Sequence, residues 1–101
     1  MLNVSVIEGI LTDEVKLCFD EARKVSKAGF HIENLQKKGK KHLANKFYVV
    51  AYGREAEECA RFLKEGMCVR VQGSIITWTQ VDEQRNKTTG TTINATKVYW
   101  S

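Results

Sequence analysis

One segment of this chain, Arg54 to Glu65, carries a helical period, and every legible stretch around it alternates with a period of two. That contrast constrains the fold most, because a helical pattern does not sit in a sheet, nor a strand pattern in a helix. In the helical segment Ala56, Cys59, Ala60 and Leu63 fall at i, i+3, i+4 and i+7, a narrow apolar stripe on a charged helix. Gly66 supplies its stop.

The alternating stretches come three before the helix and two after it. In the first, Leu2, Val4 and Val6 share one face with Asn3, Ser5 and Ile7 opposite, and Gly9 interrupts near the end, as a bulge or close approach would require. Thr12 to Glu14 reads as a turn, and Val15 to Lys27 fits either a frayed hairpin or a short helix. A second strand emerges from Ala28, with Phe30 and Ile32 inward and His31 and Glu33 outward. A third runs from about Lys46 to Tyr52, with Phe47, Val49 and Ala51 facing away from Lys46, Tyr48, Val50 and Tyr52. After the helix, Met67 to Val81 alternates Val69, Val71, Ile75 and Thr77 against Arg70, Gln72, Ser74, Ile76 and Trp78. Asp82 to Gly90 is a polar tip. Thr91 to Trp100 buries Ile93, Ala95, Val98 and Trp100, which demands an irregularity near Thr96.

Three strands, one helix and two strands, with no linker or repeat, predict a single domain over residues 1–101. The fold expected is all-β with one helix, a five-stranded Greek-key OB-fold barrel whose helix lies between strands three and four. No crossover helices separate the strands, which disfavours a parallel α/β sheet. A chain of 101 residues with 43% hydrophobic and 28% charged residues can bury a core and is not disordered by composition. It has no apolar run of membrane-spanning length and no signal-peptide pattern. Three cysteines, Cys18, Cys59 and Cys68, with no CxxC, argue against a disulfide framework or zinc knuckle and fit a reducing, cytoplasmic setting.

The net charge of +4 is local. Lys37, Lys38, Lys40, Lys41 and Lys46 place five positive charges and no acid in ten residues, and elsewhere 11 basic residues face 12 acidic ones. Such a run, read here as a loop around Gly39, suits either a polyanion partner, through counterion release, or simple solvation.

The segment YVVAYGREAEECARFLKEG, residues 48–66, resembles the bacterial-type single-stranded DNA-binding proteins, whose pattern there is an apolar strand ending aromatic-Gly followed by K-x-A-E-x-x-x-x-Y-L-x-K-G. VRVQGSI at 69–75 is similar to that family's V-x-V-x-G-x-L strand, and TTINATKVYW at 91–100 to its T-x-I-x-A-x-x-V-x-F strand. Asn3 through Asp13 resembles its opening strand and G-x-L-T-x-D turn. Phe19 through Lys27 departs from it, lacking the usual Pro-Ser-Gly hairpin turn. Family members carry a long tail with an acidic, apolar tip, and a sequence stopping at Ser101 is expected to be a truncated or tail-less member, primosomal replication protein B-like relatives included. The resemblance implies a homo-oligomer, tetramer or dimer, acting on single-stranded DNA in replication, recombination or repair. It also implies a nucleoid-associated, cytoplasmic setting and contact with replication or primosome proteins.

Non-specific single-strand binding needs a positive groove for phosphates and aromatic faces for bases. Alternation supplies both on one face, with Lys46, Tyr48 and Tyr52 on the outer side of strand three and Arg70 and Trp78 on the outer side of strand four. The resemblance makes Tyr52 a base-stacking aromatic. It puts Tyr48 and Trp78 where relatives place arginines or aromatics, and Lys46 near a stacking tryptophan. The other readings are half-buried barrel tyrosines and, for Trp78, a subunit interface. Arg85 and Lys87 fall in the loop between the last two strands, either a nucleic-acid finger or a solvated tip. Phe30, Phe47 and Trp100 are assigned to the core. No phosphate loop, HExxH or nucleophile elbow is present, and His31 and His42 have no evident partner, so no enzyme, cofactor or metal is expected. Two alternatives to a coating protein are a primosome-type adaptor that binds DNA and a helicase or its loader, and an RNA-binding OB module.

Overall fold

A computed structural model describes residues 2–101. Its elements are β1 (Ser5–Leu11), β2 (Lys16–Asp20), β3 (Val25–Lys38), β4 (Lys41–Tyr52), α1 (Arg54–Phe62), β5 (Cys68–Val81) and β6 (Lys87–Tyr99). The strands run in the order β1-β5-β6-β4-β3-β2, and β1 pairs with β3 to close a barrel. The fold is the expected OB-type barrel with one helix, but that helix lies between the fourth and fifth strands.

The extra strand comes from the stretch the sequence left open between hairpin and helix. It forms the hairpin. β1 and β2 both run antiparallel along one edge of β3, at Ile10–Leu11 and at Lys16–Asp20. From Leu11 to Lys16 the chain advances five residues while β3 advances three, from Ile32 to Gly29. They are therefore two halves of one bent strand, broken by a bulge at residues 12–15. Counted that way, the helix does follow the third strand.

The core is built from the inward residues of the alternating pattern. Phe30, Ile32, Val49, Val69, Val71 and Ile93 are all fully buried, joined by Leu11 and Val98. Truncating Phe30 to alanine would cost ~3–5 kcal/mol, because a large, fully buried ring would leave a cavity. The irregularity near Thr96 is present. Gln72 pairs with Lys97 but Gly73 pairs with Ala95, so Thr96 is the unpaired residue. This bulge switches the buried parity of β6 from Ile93 to Val98 and turns Trp100 inward, where it packs on the core and stacks on Phe62 at 5.8 Å.

α1 starts at Gly53, whose N–H donates to the Ser26 carbonyl of β3, and Glu55 and Glu57 favour the positive end of the helix dipole. Ala56 and Cys59 bury its stripe. It ends at Phe62, three residues before the expected Glu65, because Leu63 takes an extended conformation that places its side chain in the core. The lysine segment also differs from expectation. β3 and β4 continue past the barrel as a long arm, pairing out to Lys38 and Lys41, so only Gly39 and Lys40 form a turn. Gly39 at φ 64 supplies the positive φ that such a two-residue hairpin turn requires.

Candidate nucleic-acid interface

Strand pairing gathers one outer face from four strands. Ile76 of β5 lies opposite Thr92 of β6, Thr92 beside Tyr48 of β4, and Tyr48 opposite His31 of β3, a single cross-sheet row. In the next row Ser74, Asn94, Val50 and Gly29 follow in the same order, and beyond it Tyr52 lies opposite Lys27, which pairs with Cys18. Val50 is buried and Ile76 exposed, and between them Thr92, Ser74 and Asn94 make the middle of the face mixed in polarity.

Three aromatic side chains stand on it. Trp78 is 42% exposed, its indole N–H donating to the Thr92 hydroxyl at 3.1 Å. It lies across Gly90, where a Cβ would stand 2.5 Å from Cε2. Tyr48 lies across Gly29 in the same way, where a Cβ would stand 2.7 Å from Cζ. Both rings thus use a glycine on the neighbouring strand as their bed. Tyr52, four residues beyond Tyr48 and so ~13 Å along the strand, carries the Arg23 guanidinium 4.1 Å from its ring centre.

The lysines do not act as one cluster. Lys37 pairs with His42 and shares the parity of Lys46 and Tyr48, while Lys38 and Lys41 pair with each other on the reverse face of the arm, and Lys40 sits at its tip. Glu33 lies opposite Lys46, so the positive charge on the aromatic side is partly offset. Arg70 shares the outward parity of Trp78, yet eight residues of strand, ~26 Å, separate them. It instead faces Glu8, at 3.9 Å, and pairs with Tyr99. Arg85 is in the turn ordered by the Asp82 carboxylate, which accepts the backbone N–H groups of Gln84 and Asn86. Lys87 pairs with Val81 on the face of that hairpin opposite Trp78. The structure therefore brings together Lys46, Tyr48, Tyr52 and Trp78, with Lys37 on the same face farther out along the arm, and sets Lys38, Lys41, Arg70 and Lys87 apart from them.

The model of the single-strand binding protein family matches residues 2–100. The chain belongs to that family. Among solved structures, a small single-stranded DNA-binding protein from Streptomyces coelicolor superposes with a TM-score of 0.83 at 19% identity, over 100% of this chain and 96% of that one. At that identity the likeness establishes the fold. No curated protein matches the chain. The single-strand binding protein family is one of binding proteins and not of enzymes. The described residues hold no group of three or more metal-ligating side chains, and no helix among them is long and apolar enough to cross a membrane.

In this family member two side chains enter the face that sequence reasoning passed over. Arg23 arrives from the β2–β3 turn, where its backbone N–H donates to Asp20 at 3.1 Å. No sequence signal placed it, because the hairpin itself was not legible. His31 was seen to point outward, but only the β3–β4 register sets it against Tyr48, with ring centres 4.8 Å apart.

Proposed function

We propose that this protein binds single-stranded DNA without sequence preference, stacking bases on Trp78, Tyr48 and Tyr52 while Lys46 and Lys37 neutralise phosphates. What carries the reading is one sheet face of a single-strand binding family member, holding three separated aromatic rings with lysines at its rim. Binding only the open form, the protein keeps strands melted by mass action, as replication, recombination or repair requires of a cytoplasmic, nucleoid-associated factor.

The working form is a homo-oligomer. Val6 and Ile10 are exposed apolar residues on one side of β1, with Glu8 between them and Val4 just before the strand, and the second edge of β1 pairs with β3 only at Ile10 and Leu11. A second copy covering this edge would bury these residues and let two barrels share one strand.

Tryptophan fluorescence tests the stacking directly. A dT oligomer quenches emission, the quench disappears in Trp78→Phe, and it survives in Trp100→Phe, whose unfolding midpoint falls because Trp100 packs on the core. A quench that persists in Trp78→Phe removes Trp78 from the site.

A further inference from the structure

The outer face holds a side-chain arrangement with no role in stacking. From it we infer that His31 is a phosphodiester contact, positioned by Asp13, and that binding of a single strand takes up a proton on its ring. This rests on the reading of the face as a single-strand site.

The bulge between β1 and β2 creates the arrangement. It breaks the ladder opposite His31, and Asp13, at the bulge, supplies the missing acceptor. One carboxylate oxygen of Asp13 accepts the His31 backbone N–H at 2.8 Å, and the other lies 2.5 Å from Nδ1 of the ring. Bulges commonly re-aim a side chain in this way at sites of function. Burial by itself would raise the Asp13 pKa, but hydrogen bonds from the His31 backbone and ring, with the charges of His31 and Lys16, bring it below its ordinary value. Asp13 is therefore ionised at neutral pH and holds the hydrogen on Nδ1, which leaves Nε2 as the free polar atom of a ring whose side chain is 52% exposed.

Tyr48 stands beside that ring, tilted 50° to it, in the same cross-sheet row. A base stacked on Tyr48 brings its own phosphate alongside His31. A neutral imidazole would offer that phosphate only a lone pair, in front of the Asp13 charge, which is repulsive. The charged ring satisfies both anions, Nδ1–H to Asp13 and Nε2–H to a phosphate oxygen. The extra proton comes from bulk water, and no covalent bond to the strand forms or breaks. The other charged or titratable groups facing the ring are Lys16 of β2, opposite Gly29, the Tyr48 phenol of β4, and the Glu33 and Lys46 pair one step outward. Lys16 opposes protonation, Glu33 favours it, and Lys46 offsets Glu33.

The complex thus holds the proton more tightly than the free protein, and the added affinity is present at low pH and lost as pH rises. The test is the affinity for a fluorescent dT oligomer, by anisotropy, from pH ~5.5 to ~8 at fixed ionic strength. Wild type is expected to weaken roughly three- to tenfold across that window. His31→Gln flattens the profile while its thermal midpoint confirms folding, and His42→Gln, changing the chain's other histidine, retains it. Asp13→Asn keeps an acceptor for the backbone N–H but moves the weakening to lower pH. A flat wild-type profile, or one unchanged in His31→Gln, overturns the proposal while leaving single-strand binding intact. Absence of binding at every pH overturns the single-strand reading, and this contact with it.

Discussion

Gly90→Ala moves Trp78 without removing it. The new Cβ would stand 2.5 Å from Cε2 of the indole, against ~3.5 Å for ordinary carbon contact, so the ring must shift by about 1 Å or more. That stretches the 3.1 Å hydrogen bond to Thr92 out of range, at a cost of up to ~1 kcal/mol for a bond at the surface. Replacing glycine in a strand interior returns ~0.5–1 kcal/mol, so the fold should change in stability by less than ~1 kcal/mol. Binding should suffer more. If the displaced ring no longer stacks, ~1–3 kcal/mol is lost, roughly a five- to 150-fold rise in Kd for a dT oligomer. Anisotropy measures the affinity, emission from the indole reports its displacement, and thermal unfolding controls for the fold. Unchanged affinity in a variant whose Trp78 emission has shifted would refute the idea that the position of this ring matters.

Two further outcomes follow from the geometry. Changing Lys37 and Lys46 to Gln should flatten the dependence of log Kd on log salt by ~0.7 per lost phosphate contact, whereas Lys38→Gln with Lys41→Gln, on the reverse face of the arm, should change it little. Burial, with the nearby charges of Glu55 and Glu58, pushes the Cys59 thiol up to about 12, so a thiol reagent at pH 8 should label the exposed Cys18 and Cys68 and spare Cys59 until the protein unfolds.

The barrel was legible because β3 to β6 each carry an alternating set of buried apolar residues, which β2 lacks. Alternation identified Phe30, Ile32, Val49 and Val71 as core, and the parity change between Ile93 and Val98 was visible as an irregularity at Thr96. The arm was not legible as strand. Beyond Asn34 and Asn45 both of its faces meet water, so no apolar period marks it, and lysines around Gly39 resemble a loop. β1 carries apolar residues on both faces, and only the fold shows that Ile7 packs on the core while Val6 is exposed. The site divides similarly. Tyr48, Tyr52, Lys46 and Trp78 were placed by period alone. Arg70 was grouped with Trp78 because period gives the face of a strand but not the distance along it. The Asp13–His31 pair needs the bulge, whose two extra residues leave no pattern in the sequence.

The central claim is that bases, and not phosphates alone, are bound on this face. Competition between a dT oligomer and a duplex of equal length, at one fixed salt concentration, tests it most directly, because a duplex presents phosphates at higher density but hides its base faces. Stacking on at least two of the three rings predicts ~30-fold or greater preference for the single strand. Equal affinity, or preference for the duplex, would mean that the lysines bind alone and that Tyr48, Tyr52 and Trp78 are not platforms.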